Sequence, residues 1–106
     1  MPRIVLSNLV ALFFLANYTA AAEHVVVQKN KAFSVAEMTV KAGDKIVFKN
    51  DDTVAHNVFS TTKEYPINLK MQLPGTSESV VFENAGKIEL RCVMHPTMKL
   101  TVTVQK

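Results

Sequence analysis

The 106-residue sequence contains a single cysteine, Cys92, no tryptophan, three glycines and four prolines. One cysteine excludes an internal disulfide, so the chain folds without a covalent staple and any sulfur chemistry rests on a lone thiol. Sparse glycine and proline exclude collagen-like and low-complexity chains, and 48% hydrophobic residues exclude a disordered one. The length allows one domain and no more. Charge of one sign is also not concentrated anywhere: the net charge is +3, and the lysines are spread through the chain with carboxylates among them. Without a basic patch or an aromatic RNA-reading pattern, no nucleic-acid partner is expected.

The first 22 residues follow a different grammar from the rest. Arg3 opens a short positive segment, Ile4 to Tyr18 form an apolar run broken only by Ser7, Asn8 and Asn17, and Thr19 to Ala22 are small. This is the pattern of a secretory signal peptide, with Ala20 and Ala22 as an A-x-A cleavage site before Glu23. The run falls short of the roughly 20 apolar residues of a spanning helix, although a retained N-terminal anchor is an open alternative. The expected organisation is a signal peptide over 1–22 and one domain over 23–106, exported to the periplasm, with no stable membrane insertion after cleavage. So small a domain sits near the limit at which a hydrophobic core alone stabilises a fold, and a metal would help.

Beyond residue 22 there are thirteen valines, and apolar residues alternate instead of recurring every three or four positions. Period two predicts β-structure. Val25 and Val27 lie in a first short run, and Met38 and Val40 alternate with polar neighbours before the turn Ala42-Gly43-Asp44. Ile46 and Phe48 alternate up to Asn50-Asp51-Asp52, and His56 and Val58 continue as a strand. Val80 and Phe82 lead to Asn84-Ala85-Gly86; Ile88, Leu90 and Cys92 then share one face, and Met98, Leu100, Val102 and Val104 share another. Thr61 to Pro74 has no strong period and is expected as a loop or irregular edge segment. The predicted fold is an all-β sandwich of about six to eight strands.

The segment Cys92-Val93-Met94-His95-Pro96-Thr97-Met98 carries the chemistry, together with His56 upstream. Cys92, His95 and Met98 stand three residues apart, with Cys92 ending one inward-facing strand and Met98 beginning the next. Thiolate and thioether favour Cu(I) while imidazole keeps Cu(II) accessible, so the set implies copper. Zinc sites use more cysteines, or His with carboxylates, and do not use methionine. Two His and one Cys with a distant axial Met describe a type 1 copper centre. Met94 offers a second thioether inside the loop, but strand parity favours Met98. His24 would stand third from a terminus cut after Ala21, a placement that can bind Cu(II) through backbone nitrogens.

The segments AFSVAEMTVKAGDKIVFKNDDTVAHNVF and IELRCVMHPTMKLTVTV resemble the cupredoxin family, and the short Cys-x-x-His-x-x-Met loop resembles amicyanin and other plastocyanin-like members. The resemblance covers nearly all of residues 23–106 and implies a Greek-key β-sandwich holding one type 1 copper ion. It implies His56, Cys92 and His95 as equatorial ligands and Met98 as the weak axial one. It also implies that the Asn57 backbone amide donates to the thiolate while the Asn57 side chain ties the ligand strands together. Leu90 and Arg91 stand where many members carry an aromatic residue before the cysteine, and Thr61 to Pro74 departs from the amicyanin pattern.

A four-ligand site leaves no open position for substrate, so the expected role is one-electron transfer and not catalysis. His95 would present its ring edge as the electron port, with Met94, Pro96 and Val54 around it as a docking patch. The expected partners are redox proteins such as a c-type cytochrome or a periplasmic dehydrogenase, met by a monomer. A periplasmic copper chaperone or storage protein is the alternative function.

Overall fold

A computed structural model describes residues 20–106. The expected signal segment up to Thr19 lies outside the described residues. Among the described residues there are nine strands: β1 (Glu23–Lys29), β2 (Ala32–Phe33), β3 (Glu37–Lys41), β4 (Asp44–Asn50), β5 (His56–Ser60), β6 (Asn68–Gln72), β7 (Ser77–Phe82), β8 (Gly86–Cys92) and β9 (Lys99–Gln105). They form two sheets, ordered β2-β1-β4-β7 and β3-β9-β8-β5-β6. The β1–β4 and β3–β9 pairs are parallel and the others antiparallel.

The alternation read from the sequence decides which side chains meet between the sheets. Val26, Ile46, Phe48 and Phe82 from the first sheet pack against Val40, Val58, Ile88, Leu90, Leu100, Val102 and Val104 from the second. Each of the larger ones stabilises the fold by roughly 1.5–3 kcal/mol relative to leaving it in water. In the Val25-Val26-Val27 run, where three like residues conceal the parity, Val26 is the buried one and Val25 faces out.

The strand count exceeds six to eight because two short segments join the sheet edges. One is β2, two residues paired to β1 through a tight turn in which Asn30 and Lys31 adopt positive φ. The other is β6, inside the aperiodic Thr61–Pro74 stretch. It is an edge strand, as expected, with a register shift against β5 between Asn57 and Phe59. An edge strand needs no two-sided alternation, which explains its weak signal in the sequence. Ala22 is tied to the start of β4: its carbonyl accepts from the Lys45 amide at 3.0 Å and its amide donates to Asp44 Oδ1 at 2.9 Å.

Strand direction gathers one group of ends at one pole. The C-terminal ends of β1, β4, β6 and β8 lie there with the N-terminal ends of β5 and β9, as the pairings His56 with Gln72, Val58 with Cys92 and Arg91 with Lys99 require. A buried amide network closes this pole. Gln28 Nε2 donates to Gln72 Oε1 at 2.8 Å, Gln72 Nε2 to the Phe48 carbonyl, and Asn50 Nδ2 to the carbonyls of Val54 and Gln72. These bonds fix the β4–β5 loop and the end of β6 before any ligand is considered.

Candidate metal centre

His56 opens β5 and Cys92 closes β8; both point inward and are buried. His95 lies on the six-residue loop between β8 and β9 and is half-buried. The Cys92 sulfur is 3.8 Å from His56 Nδ1 and 3.7 Å from His95 Nδ1, and the two nitrogens are 3.1 Å apart. The ligand atoms of these three residues all lie within 4.8 Å of one another. A point in their plane about 2.0 Å from both nitrogens stands about 2.2 Å from the sulfur, close to imidazole and thiolate bond lengths for zinc of roughly 2.0–2.1 and 2.3 Å. The cluster has the dimensions of a trigonal metal site.

Met98 is buried just before β9, and its amide donates to the His95 carbonyl at 2.9 Å, closing the loop into a turn. Cys92 and Met98 are as buried as the core yet stand outside its hydrophobic cluster. Met94 is exposed on the loop, as are Val93 and Pro96, while Val54 is half-buried. His24 is not part of this cluster: its Nε2 lies 3.0 Å from Asp44 Oδ2, and its strand is paired to β4.

The Asn57 amide points at the Cys92 sulfur at 3.3 Å, an arrangement suited to a thiolate accepting a hydrogen bond. The Asn57 Oδ1 is buried without a hydrogen-bond partner among the described residues.

Two residues that sequence reasoning did not place complete the surroundings. Asp52 Oδ2 lies 2.9 Å from His56 Nε2, and the same carboxylate accepts the amides of Lys31 and Thr53, each at 2.8 Å. The Lys31 amide and the His56 ring hold the Asp52 carboxyl at about 2, below its ordinary range. Arg91, noted only as the missing aromatic, faces the opposite side of β8 from Cys92. Its Nη1 donates to the Pro96 carbonyl at 2.8 Å, and its Nε donates to Glu89 Oε1. It anchors the loop that carries His95. The period-two pattern put Arg91 on the outer face but could not show that the loop folds back over it.

A soft sulfur, two imidazole nitrogens and a buried thioether at the end of a β-sandwich define a cupredoxin-type centre. Comparison with known proteins agrees: residues 4–104 match the family model of the cupredoxin-like domain, and the chain belongs to that family. It is 31% identical over 68 residues to methylamine utilization protein MauL of Methylorubrum extorquens, a stretch that is 63% of this chain and 60% of MauL. The match therefore spans less than two thirds of that relative. Among solved structures, an amicyanin variant in the Cu(I) state superimposes with a TM-score of 0.73 at 26% identity, covering 78% of this chain and 82% of that one. A purple cupredoxin from Nitrosopumilus maritimus, at 23% identity, shares the fold over 77% of this chain and 99% of its own with a TM-score of 0.71. The set His56, Cys92, His95 and Met98 fits one type 1 copper ion.

Proposed function

We propose that this protein is an exported type 1 copper protein that carries single electrons between redox proteins and is not an enzyme. His56, Cys92, His95 and Met98 would hold the copper ion, through two imidazole nitrogens, a thiolate and a thioether. The observation that carries the reading is the three-atom convergence of two imidazole nitrogens and one sulfur, buried behind a short loop. Copper held there supplies a one-electron Cu(I)/Cu(II) couple. The chain's own residues limit rearrangement: the Asn57 amide is aimed at the sulfur, Asp52 holds the His56 ring, and Arg91 holds the loop. A frame that changes little between two charge states favours fast outer-sphere transfer. With four ligands in place, none of the coordination is left to a substrate.

The surface around His95 suits brief encounters. Val93, Met94 and Leu73 are exposed apolar residues on the loop and at the end of β6, beside exposed Pro96. Small apolar contacts of this kind are typical of electron-transfer complexes, which need turnover more than affinity. A c-type cytochrome or a periplasmic dehydrogenase fits such a patch, and likeness to MauL and amicyanin supports a redox partner. Export follows from reading residues 1–22 as a signal peptide.

Repeated redox cycling tests the carrier role. Copper-loaded protein reduced by ascorbate and reoxidised by ferricyanide over several cycles should return to the same spectrum with its copper still bound after desalting. Transfer of the copper to a mild chelator within seconds would instead identify a copper chaperone or storage protein.

A further inference from the structure

We propose that Asp52 is a positioning residue for this copper site: its carboxylate fixes the tautomer and orientation of His56 and biases the site toward Cu(II). The inference rests on the reading of His56 as a ligand. Asp52 lies in the β4–β5 loop, and its carboxylate is itself held from three sides. Oδ2 accepts the Lys31 amide at 2.8 Å and lies 2.9 Å from His56 Nε2, while Oδ1 accepts the Thr53 amide at 2.8 Å. The Asp52 amide donates to Asn50 Oδ1 at 2.9 Å, and the neighbouring Asp51 amide to the Gln28 carbonyl. The Lys31 amide is brought to this point by the β1–β2 turn, where Asn30 and Lys31 take the left-handed conformation. The carboxylate is thus placed by backbone from two separate segments of the fold, with its side chain 9% exposed and His56 fully buried.

The chemistry follows from donor and acceptor roles. An ionised carboxylate only accepts, so the imidazole nitrogen facing it carries the proton. That leaves His56 Nδ1 with its lone pair directed at the point shared by Cys92 Sγ and His95 Nδ1. A carboxylate behind a metal-binding imidazole also makes the ring a stronger donor. A negative charge kept from solvent near the site stabilises the more highly charged ion, so it favours Cu(II) over Cu(I). Asp51, the neighbouring carboxylate, pairs with Lys49 at the surface and cannot substitute.

Two variants separate orientation from charge. Asp52→Asn keeps an oxygen that can accept from Nε2 but removes the charge; Asp52→Ala removes both. In metal-free wild-type protein, nitrogen-15 NMR should find neutral His56 protonated at Nε2, with that proton slow to exchange. Asp52→Asn should retain this tautomer, and Asp52→Ala should lose the exchange protection. With copper bound, both variants should show a higher reduction potential than wild type, and Asp52→Ala should lose Cu(II) affinity by about 10- to 100-fold. An Nδ1-protonated His56 in the wild type, or potentials unchanged in both variants, would overturn the proposal. If Asp52→Ala fails to fold, the wild-type tautomer and the Asp52→Asn potential still decide it. If the wild type forms no coloured copper complex, the ligand reading fails separately, and the metal-free tautomer still reports on the Asp52–His56 pair.

Discussion

Two aspartates show how single residues acquire roles from their surroundings. Asp52 is tied to His56 at the metal pole, and Asp44 is tied to His24 beside the start of β1. The Asp44 carboxyl is held at about 2, first by the His24 hydrogen bond and then by the Lys41 and Ala22 amides. Its folded value lies below the 3.8 of an ordinary aspartate, so its contribution to stability is complete above about pH 4. That contribution is lost as pH falls from there toward 2, where the folded carboxyl takes up its proton. Denaturant unfolding of the metal-free protein should therefore show stability declining over this window. Asp44→Asn should lower stability at neutral pH and flatten the decline, leaving the parts due to Asp52 and Glu89. An unchanged acid profile in Asp44→Asn would remove Asp44 from the account.

At the scale of elements, the decisive piece is the loop from Cys92 to Met98, which is short enough to be fixed by few bonds. The Met98 amide closes it on the His95 carbonyl, and Arg91 holds the Pro96 carbonyl from the neighbouring strand. Arg91 is itself held by Glu89, whose carboxyl is kept below its usual range mainly by that bond. Both side chains are about one-third exposed, so solvent weakens the pair and Arg91→Ala should cost the fold little. Its effect should appear in the loop instead. In metal-free protein the Cys92 thiol of Arg91→Ala should react severalfold faster with a disulfide reagent, while Arg91→Lys should fall between the two. Equal thiol reactivity in Arg91→Ala and wild type would show that the loop holds its shape without the clamp.

At the scale of the whole molecule, the sandwich is a device for bringing distant strand ends to one pole. Much of this was legible in the sequence. Alternation at Ile46 and Phe48, at Ile88, Leu90 and Cys92, and at Met98, Leu100, Val102 and Val104 follows from two packed sheets with one wet face each, and the structure buries all of these residues. The ligand loop was legible because three of the donors, Cys92, His95 and Met98, fall within seven residues. The run Val25-Val26-Val27 gave no parity because all three residues are alike, and β6 gave little because an edge strand with a register shift obeys no strict period. Asp52 was not legible for a different reason. In Asn50-Asp51-Asp52 two carboxylates look equivalent as turn residues, and only the β1–β2 turn, some twenty positions upstream, selects which one is held against His56. Contacts made across sequence distance by loop residues leave no periodic trace.

The proposed function depends above all on Cys92 supplying the thiolate of a type 1 copper site. Titrating Cu(II) into the purified protein while recording the visible spectrum tests that role. An intense thiolate-to-copper absorption should grow to a break at one equivalent, bleach on reduction, and be absent from Cys92→Ser. A colourless one-equivalent complex, or the same colour in Cys92→Ser, would rule out a copper–thiolate bond at Cys92.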